Sequence, residues 1–148
     1  RASAAERQSQ RGLDAFWLER VPDFLQRWMP PRTTQRVLLH TEIMREHLMV
    51  DQARLCGLFD FEPAMLGAAE YEFASVGLFV ACGDARALRR VLLAYGYPPH
   101  ALDEALQCRF MAYALLHRYS NLRWYLERLP AGDAQTLEQL ATRWWPLH

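Results

Sequence analysis

The chain predicts an α+β domain, mainly helical, with a short β region set between helical stretches. Three observations carry that prediction. Arg36–Leu39, His47–Val50 and Leu55–Phe59 are apolar runs of strand length that follow one another too closely to be helices. From Glu70 to the C-terminus, apolar residues recur at helical spacing. The first 36 residues also read as helix.

The elements follow in order. Leu13, Phe16, Trp17 and Val21 share a helical stripe, continued by Phe24, Leu25 and Trp28 after a break at Pro22. Pro30-Pro31 stops the helix and starts an extended linker. Arg36–Leu39 is the first strand. Asp51-Gln-Ala-Arg54 turns the second strand back into the third, which delivers Asp60. Pro63 suits a loop or the first turn of a helix. Tyr71 to Ala81 is apolar on nearly every side, the mark of a buried central helix. Gly83-Asp84 ends it, and Asp84 caps a helix whose stripe of Leu88, Val91, Leu92 and Tyr95 stops at Gly96. Pro98-Pro99 leads into a long helical segment with Leu102, Leu106, Phe110 and Tyr113 on one face. It runs, with a break near Ser120-Asn121, to Leu129-Pro130. Asp133 is expected to cap a last helix carrying Leu137, Leu140, Ala141 and Trp144.

Composition narrows the class. At 148 residues and 51% hydrophobic, the chain is enough for one domain, 1–148, with a real core. Its 17 basic and 17 acidic residues cancel, so no general attraction to nucleic acid or an anionic membrane follows. Every basic residue is arginine, which suits phosphate recognition but equally reflects a GC-rich coding bias. Cys56, Cys82 and Cys108 form no CxxC and imply no disulfide framework; each is expected as a small buried apolar residue in a reducing compartment. Phe73 to Cys82 is too short to span a bilayer, and no signal-peptide pattern opens the chain, so a cytoplasmic protein is expected.

The chemistry concentrates in His40-Thr41-Glu42, His47 and Phe59-Asp60-Phe61. Two carboxylates, Glu42 and Asp60, are expected at the ends of neighbouring short strands, facing one crevice. Phosphoryl transfer needs one acid to orient a hydroxyl and another to hold the metal bridging the nucleotide phosphates. These segments resemble the catalytic core of the aminoglycoside phosphotransferase family, which shares its fold with protein kinases and has choline and homoserine kinases among its relatives. The family's first motif is His-Gly-Asp, four variable residues, then Asn; here it reads His40-Thr41-Glu42, Ile43 to Glu46, then His47. The second is an Ile-Asp-Phe/Leu pattern, matched by Phe59-Asp60-Phe61. A Tyr-Asp-x-Ala segment is matched by Tyr71-Glu72-Phe73-Ala74. The resemblance is close over Val37 to Tyr97.

The resemblance implies the large C-terminal lobe of a kinase-like fold, with its short β-hairpin region carrying the catalytic loop. It implies ATP and Mg2+ as cofactors and a small-molecule hydroxyl as acceptor, aminoglycoside-like or related, with antibiotic resistance as the biological setting. Glu42 takes the place of the catalytic base, Asp60 and His47 the metal and cofactor positions, and His40 and Glu72 support the catalytic loop. Two departures matter. Glu for Asp at 42 adds a methylene. His for Asn at 47 offers nitrogen to magnesium, a hard cation that prefers oxygen.

The nucleotide-clamping half of such a kinase is not found. The chain has no lysine, and its 7 glycines are scattered with no phosphate-loop spacing. It begins at Arg1, as a fragment would. The isolated chain is therefore expected to lack the N-terminal lobe, to be a poor kinase or none, and to self-associate through the uncovered lobe interface. The competing reading is a non-catalytic, pseudokinase-type lobe that binds a small molecule or a protein.

Other residues have weaker claims. His40 and His47 fit neither HExxH nor HxxEH, which excludes a familiar zinc hydrolase pattern. His117 reads as a satisfied helical histidine, and His100 and His148 carry no pattern. Glu62 lies within reach of the same crevice, or is a solvated loop acid. Asp103, Glu104, Glu127 and Asp133 could form an acidic acceptor surface, and each equally suits a helix cap or solvated face. Arg118 to Tyr125 is aromatic-rich enough to line a sugar or cation pocket, or to pack the core.

Overall fold

Ser3, with glutamate three residues on, opens the first helix: its hydroxyl accepts the Glu6 N–H while Glu6 accepts the Ser3 N–H. In the computed structural model, which describes residues 3–29 and 35–148, this capping box heads α1 (Ala4–Gln10). Asp14 caps α2 (Ala15–Leu18) through the Phe16 N–H. Pro22 sits in the first turn of α3 (Val21–Trp28), where a missing N–H leaves no bond unmade. Pro22 thus starts a helix rather than breaking one. Val21, Phe24 and Leu25 are buried, whereas Phe16 is left exposed because the expected single stripe is divided among short helices. The Pro30-Pro31 linker lies outside the described residues.

β1 (Val37–Leu39) does not pair with the next strand. It pairs antiparallel with β4 (Met65–Gly67), Val37 opposite Gly67 and Leu39 opposite Met65. β2 (Leu48–Asp51) and β3 (Arg54–Leu58) form a separate hairpin. Glu42 and Asp60 therefore leave different ribbons, β1 and β3, and not adjacent arms of one hairpin. Pro63 lies in a turn closed by the Ala64 N–H on the Phe61 carbonyl, so the chain re-enters a strand there instead of a helix. A Cβ on Gly67 would come within 2.7 Å of Leu39 Cδ1, which fixes glycine at that crossing.

The turn between β2 and β3 places both Gln52 and Ala53 at positive φ, 47° and 60°, the backbone of a two-residue turn matched to strand twist. Beyond it, Val50 faces Leu55 and Met49 faces Gly57, so Cys56 is the extra residue of a bulge. Cys56 is exposed and Cys82 half-buried, contrary to the expectation that all three cysteines are core residues. Cys108 is buried, and burial pushes its thiol up to about 12.

α4 (Ala69–Ser75) runs directly into a π-helical segment, Val76–Ala81. The cause is Trp145, wholly buried, whose indole N–H donates to the Phe73 carbonyl at 3.1 Å. Its ring lies where a Cβ on Gly77 would be. A side group inserted against a helix ladder is a recognised source of such widening. The segment closes with the Cys82 N–H on the Gly77 carbonyl.

Asp84 caps α5 (Ala85–Tyr95) through the Arg86 and Ala87 N–H groups, and Gly96 ends it at φ 115°. Asp103 caps α6 (Glu104–Leu116), which is buried on nearly all sides and packs against α3, α4 and α8. The long segment breaks where expected, and Asn121 caps α7 (Leu122–Arg128). α8 (Leu137–Trp144) is capped by Thr136, with Gln139 completing a second capping box. Asp133 does not cap it; its backbone carbonyl accepts from the Gln135 amide. Leu88, Leu92, Leu106, Phe110, Leu140 and Trp144 anchor the core, each fully buried side chain contributing roughly 1.5–3 kcal/mol. Among the described residues, no helix is long and apolar enough to cross a membrane.

Candidate catalytic loop and the cavity beside it

The loop after β1 is held from four sides. From α4, Glu72 reaches under it and accepts the His40 N–H at 2.5 Å and the Thr41 N–H at 2.9 Å, one on each carboxylate oxygen. Burial pushes the Glu72 carboxyl up, against the pull of those N–H groups and of His40. From beside β3, the Phe59 carbonyl takes His40 Nε2 at 2.7 Å. His40 Nδ1 accepts the Glu42 N–H at 3.3 Å, so the neutral ring carries its proton on Nε2. From the end of α6, buried His117 donates Nε2–H to the Thr41 carbonyl at 3.3 Å while its Nδ1 accepts the Tyr119 N–H. Burial lowers the His117 pKa, keeping it in that neutral form. Finally, Arg45 donates twice to the Val80 carbonyl at the end of the π-helical segment.

This bracing holds Thr41 at φ 75°, in the left-handed region that a β-branched residue rarely enters. It stands where the motif described above has glycine. Asp60 is at φ 68°. Two non-glycine residues in this conformation, one on each side of the loop, mark a backbone kept in place by its surroundings.

Arg45–His47 forms a 3-10 turn that leads into β2. His47 Nδ1 lies 2.7 Å from the Glu42 carbonyl and donates to it, because a carbonyl only accepts. Its other nitrogen, Nε2, faces Asp60, whose Oδ2 is 3.4 Å away, an ion pair when the ring is protonated. Glu42, His47 and Asp60 are thus gathered through one imidazole, although they come from separate ribbons. Glu62 shows no such link.

A divalent cation at this point finds one hard oxygen on Asp60 and one nitrogen on His47. Magnesium is commonly held by one or two carboxylates, with substrate phosphates and water completing its shell, so Asp60 fits that role and His47 does not supply the second oxygen. Among the described residues, no three His, Cys, Asp or Glu side chains form a cluster able to hold a metal without such help.

Glu42 has a second neighbourhood. It lines a cavity of about 170 Å³ whose walls include Leu78, Phe79, Trp124 and Tyr125. Burial, with a smaller push from the Glu42 charge, raises both Tyr71 and Tyr125 to about 12. The aromatic run around Tyr119 to Tyr125 therefore does both things the sequence left open, packing the core and forming a pocket. The acids considered for an acceptor surface lie elsewhere: Asp103 caps α6, Glu104 follows in its first turn, and Glu127 pairs with Arg123 at 3.2 Å. The sequence offered no way to see His117 as a loop brace, since its partner is a backbone carbonyl 76 positions away.

Residues 1–108 match the model of the phosphotransferase enzyme family (APH). That span covers the loop, Asp60 and Glu72, and the chain belongs to this family of kinase-like phosphotransferases. No curated protein and no solved structure gives a significant match.

Proposed function

We propose that this chain is the large, C-terminal lobe of a kinase-like phosphotransferase, one domain over 1–148, which moves the γ-phosphoryl group of ATP to a hydroxyl of a small molecule. The observation that carries this is the braced loop. Glu72, His40 and His117 fix a strained backbone on which Glu42 lines a cavity while Asp60 faces His47 nearby. A rigid supporting shell is what positional and electrostatic catalysis needs.

In this reading Glu42 accepts the proton of the acceptor hydroxyl and orients its oxygen. Asp60 would hold Mg2+, with His47 at the second metal position, fixed by the Glu42 carbonyl. The bound metal with ATP supplies charge neutralisation on the transferred phosphoryl group. Glu72 and His40 do no chemistry; they set where Glu42 and Asp60 stand. The nucleotide-binding lobe is a further partner, and the exposed apolar side chains Leu38, Val50, Leu55 and Leu66 on the two ribbons are where it, or a second copy, would seat. Neither nucleic acid nor membrane enters the scheme, and a cytoplasmic setting suits its ATP requirement.

The test is phosphoryl transfer from Mg-ATP by the parent protein with both lobes, against a panel of hydroxyl acceptors. Glu42→Gln should lower kcat by about 10²–10⁴-fold, the range for loss of a general base, and Asp60→Asn should raise the Mg2+ requirement. If neither substitution lowers transfer, the site assignment is wrong. If the parent binds small molecules but transfers nothing, the pseudokinase reading, which His47 at a metal position favours, replaces it.

A further inference from the structure

The cavity beside Glu42 has a chemistry of its own. At about 170 Å³ it is close to the ~150 Å³ that admits a benzene ring in a protein core, room for one ring of a guest. Its walls are apolar and aromatic, with Ala74, Leu78, Phe79, Ala114 and Trp124 among them. The polar groups at its edge are already engaged: Ser75 donates to the Glu72 carbonyl, and both His117 nitrogens are bonded. Among the described lining residues Glu42 is the one acid.

Two of the lining rings carry the opposite charge against them. The Arg118 guanidinium lies 4.4 Å from the centre of the Tyr119 ring, and Arg128 lies 4.8 Å from that of Trp124, both rings lining the cavity. Two exposed guanidiniums beside the lining rings, against one lining carboxylate, disfavour a polycation. They leave a neutral guest unhindered.

We infer that the acceptor is an uncharged alcohol built on a single aromatic or alicyclic ring, its ring seated among Phe79, Trp124 and Tyr125 and its hydroxyl at Glu42. This rests on Glu42 as the base, but the binding it requires does not. The ring displaces water from apolar walls, and Glu42 accepts the hydroxyl hydrogen bond in an otherwise apolar site, which sets the orientation. An amino-sugar antibiotic with several ammonium groups meets apolar walls, a single carboxylate and two nearby guanidiniums, a poor match.

The experiment is ligand-detected NMR on the chain with 2-phenylethanol and, separately, with the polycationic kanamycin, without ATP or metal. We expect 2-phenylethanol to bind at least tenfold more tightly. Met44→Trp, which fills the cavity from the loop side, should weaken it at least tenfold. Trp124→Ala, which removes a wall, serves the same purpose should the first variant not fold, as judged by circular dichroism. Tighter binding of kanamycin, no binding of 2-phenylethanol, or 2-phenylethanol binding unchanged in a folded variant overturns the inference. The two readings fail separately. Binding without phosphoryl transfer in the two-lobed parent removes the enzyme and keeps the pocket, whereas Glu42-dependent phosphorylation of kanamycin keeps the enzyme and removes this acceptor class.

Discussion

Replacing Glu72 with alanine tests whether the loop is held as described. The substitution leaves the His40 and Thr41 N–H groups without their acceptor. Each orphaned, half-buried donor costs about 1–3 kcal/mol, so the pair costs about 2–6 kcal/mol. Alanine also removes a carboxylate whose burial is unfavourable, as the raised pKa shows, and that returns part of the loss. A net destabilisation of about 2–4 kcal/mol is expected, seen as a drop of about 1–2 M in the urea midpoint at unchanged slope. Glu72→Gln keeps one acceptor oxygen and should lose about half as much. Glu70→Ala, which breaks only the partly exposed pair with Arg109, should cost under about 1 kcal/mol. Amide hydrogen exchange should accelerate at both His40 and Thr41 in Glu72→Ala, at one of them in Glu72→Gln, and at neither in Glu70→Ala. A loss below about 0.5 kcal/mol with both amides still protected would refute the bracing argument.

Gly77→Ala drives a methyl group into the Trp145 indole and pulls its N–H off the Phe73 carbonyl; a loss of about 2–4 kcal/mol is expected, checked by thermal unfolding, and a wild-type Tm would show that the tryptophan moves freely. Because burial lowers the His117 pKa, the unfolded chain binds the proton more readily, so the stability owed to the neutral ring is present above pH 6.5 and lost as pH falls below it. His117→Gln, which can still donate to the Thr41 carbonyl, should flatten that part of the stability-pH curve, and an unchanged slope in urea titrations would assign it to other groups. His47→Asn replaces the nitrogen facing Asp60 with an amide oxygen, so Mg-ADP should bind several-fold more tightly to the two-lobed parent by calorimetry, while the advantage of Mn2+ over Mg2+ should shrink. Equal metal preference in both proteins would show that His47 does not reach the cation.

Local chemistry made much of the fold legible. Asp84 and Gly96 bound α5 as expected because a cap and a left-handed stop are decided by the residues themselves. The strand turn at Gln52-Ala53 was visible from the apolar runs around it. What was not legible depends on distant partners. Met65-Leu-Gly67 is too short for any period, and it is a strand only because β1 pairs with it. The widened turn at Val76–Ala81 is imposed by Trp145, far along the chain. Thr136 displaced Asp133 as a cap because Gln139 was placed to reciprocate. At the candidate site, the spacing of His40, Glu42, Asp60 and Glu72 singled out a loop that proves tightly braced, yet it missed that His47 joins two ribbons and that Glu42 lines an aromatic hollow.

Among the described residues both ribbons are only two strands wide, so each of these four strands is a border, with one row of peptide groups outside its ladder. An extended segment from another chain can lengthen either ribbon without displacing a native bond. The bulge at Cys56 spoils the repeat along β3 and makes that side the poorer template. Growth by strand addition is therefore directed to β1, β2 or β4, and capping those borders is the first measure for keeping concentrated solutions of the chain clear.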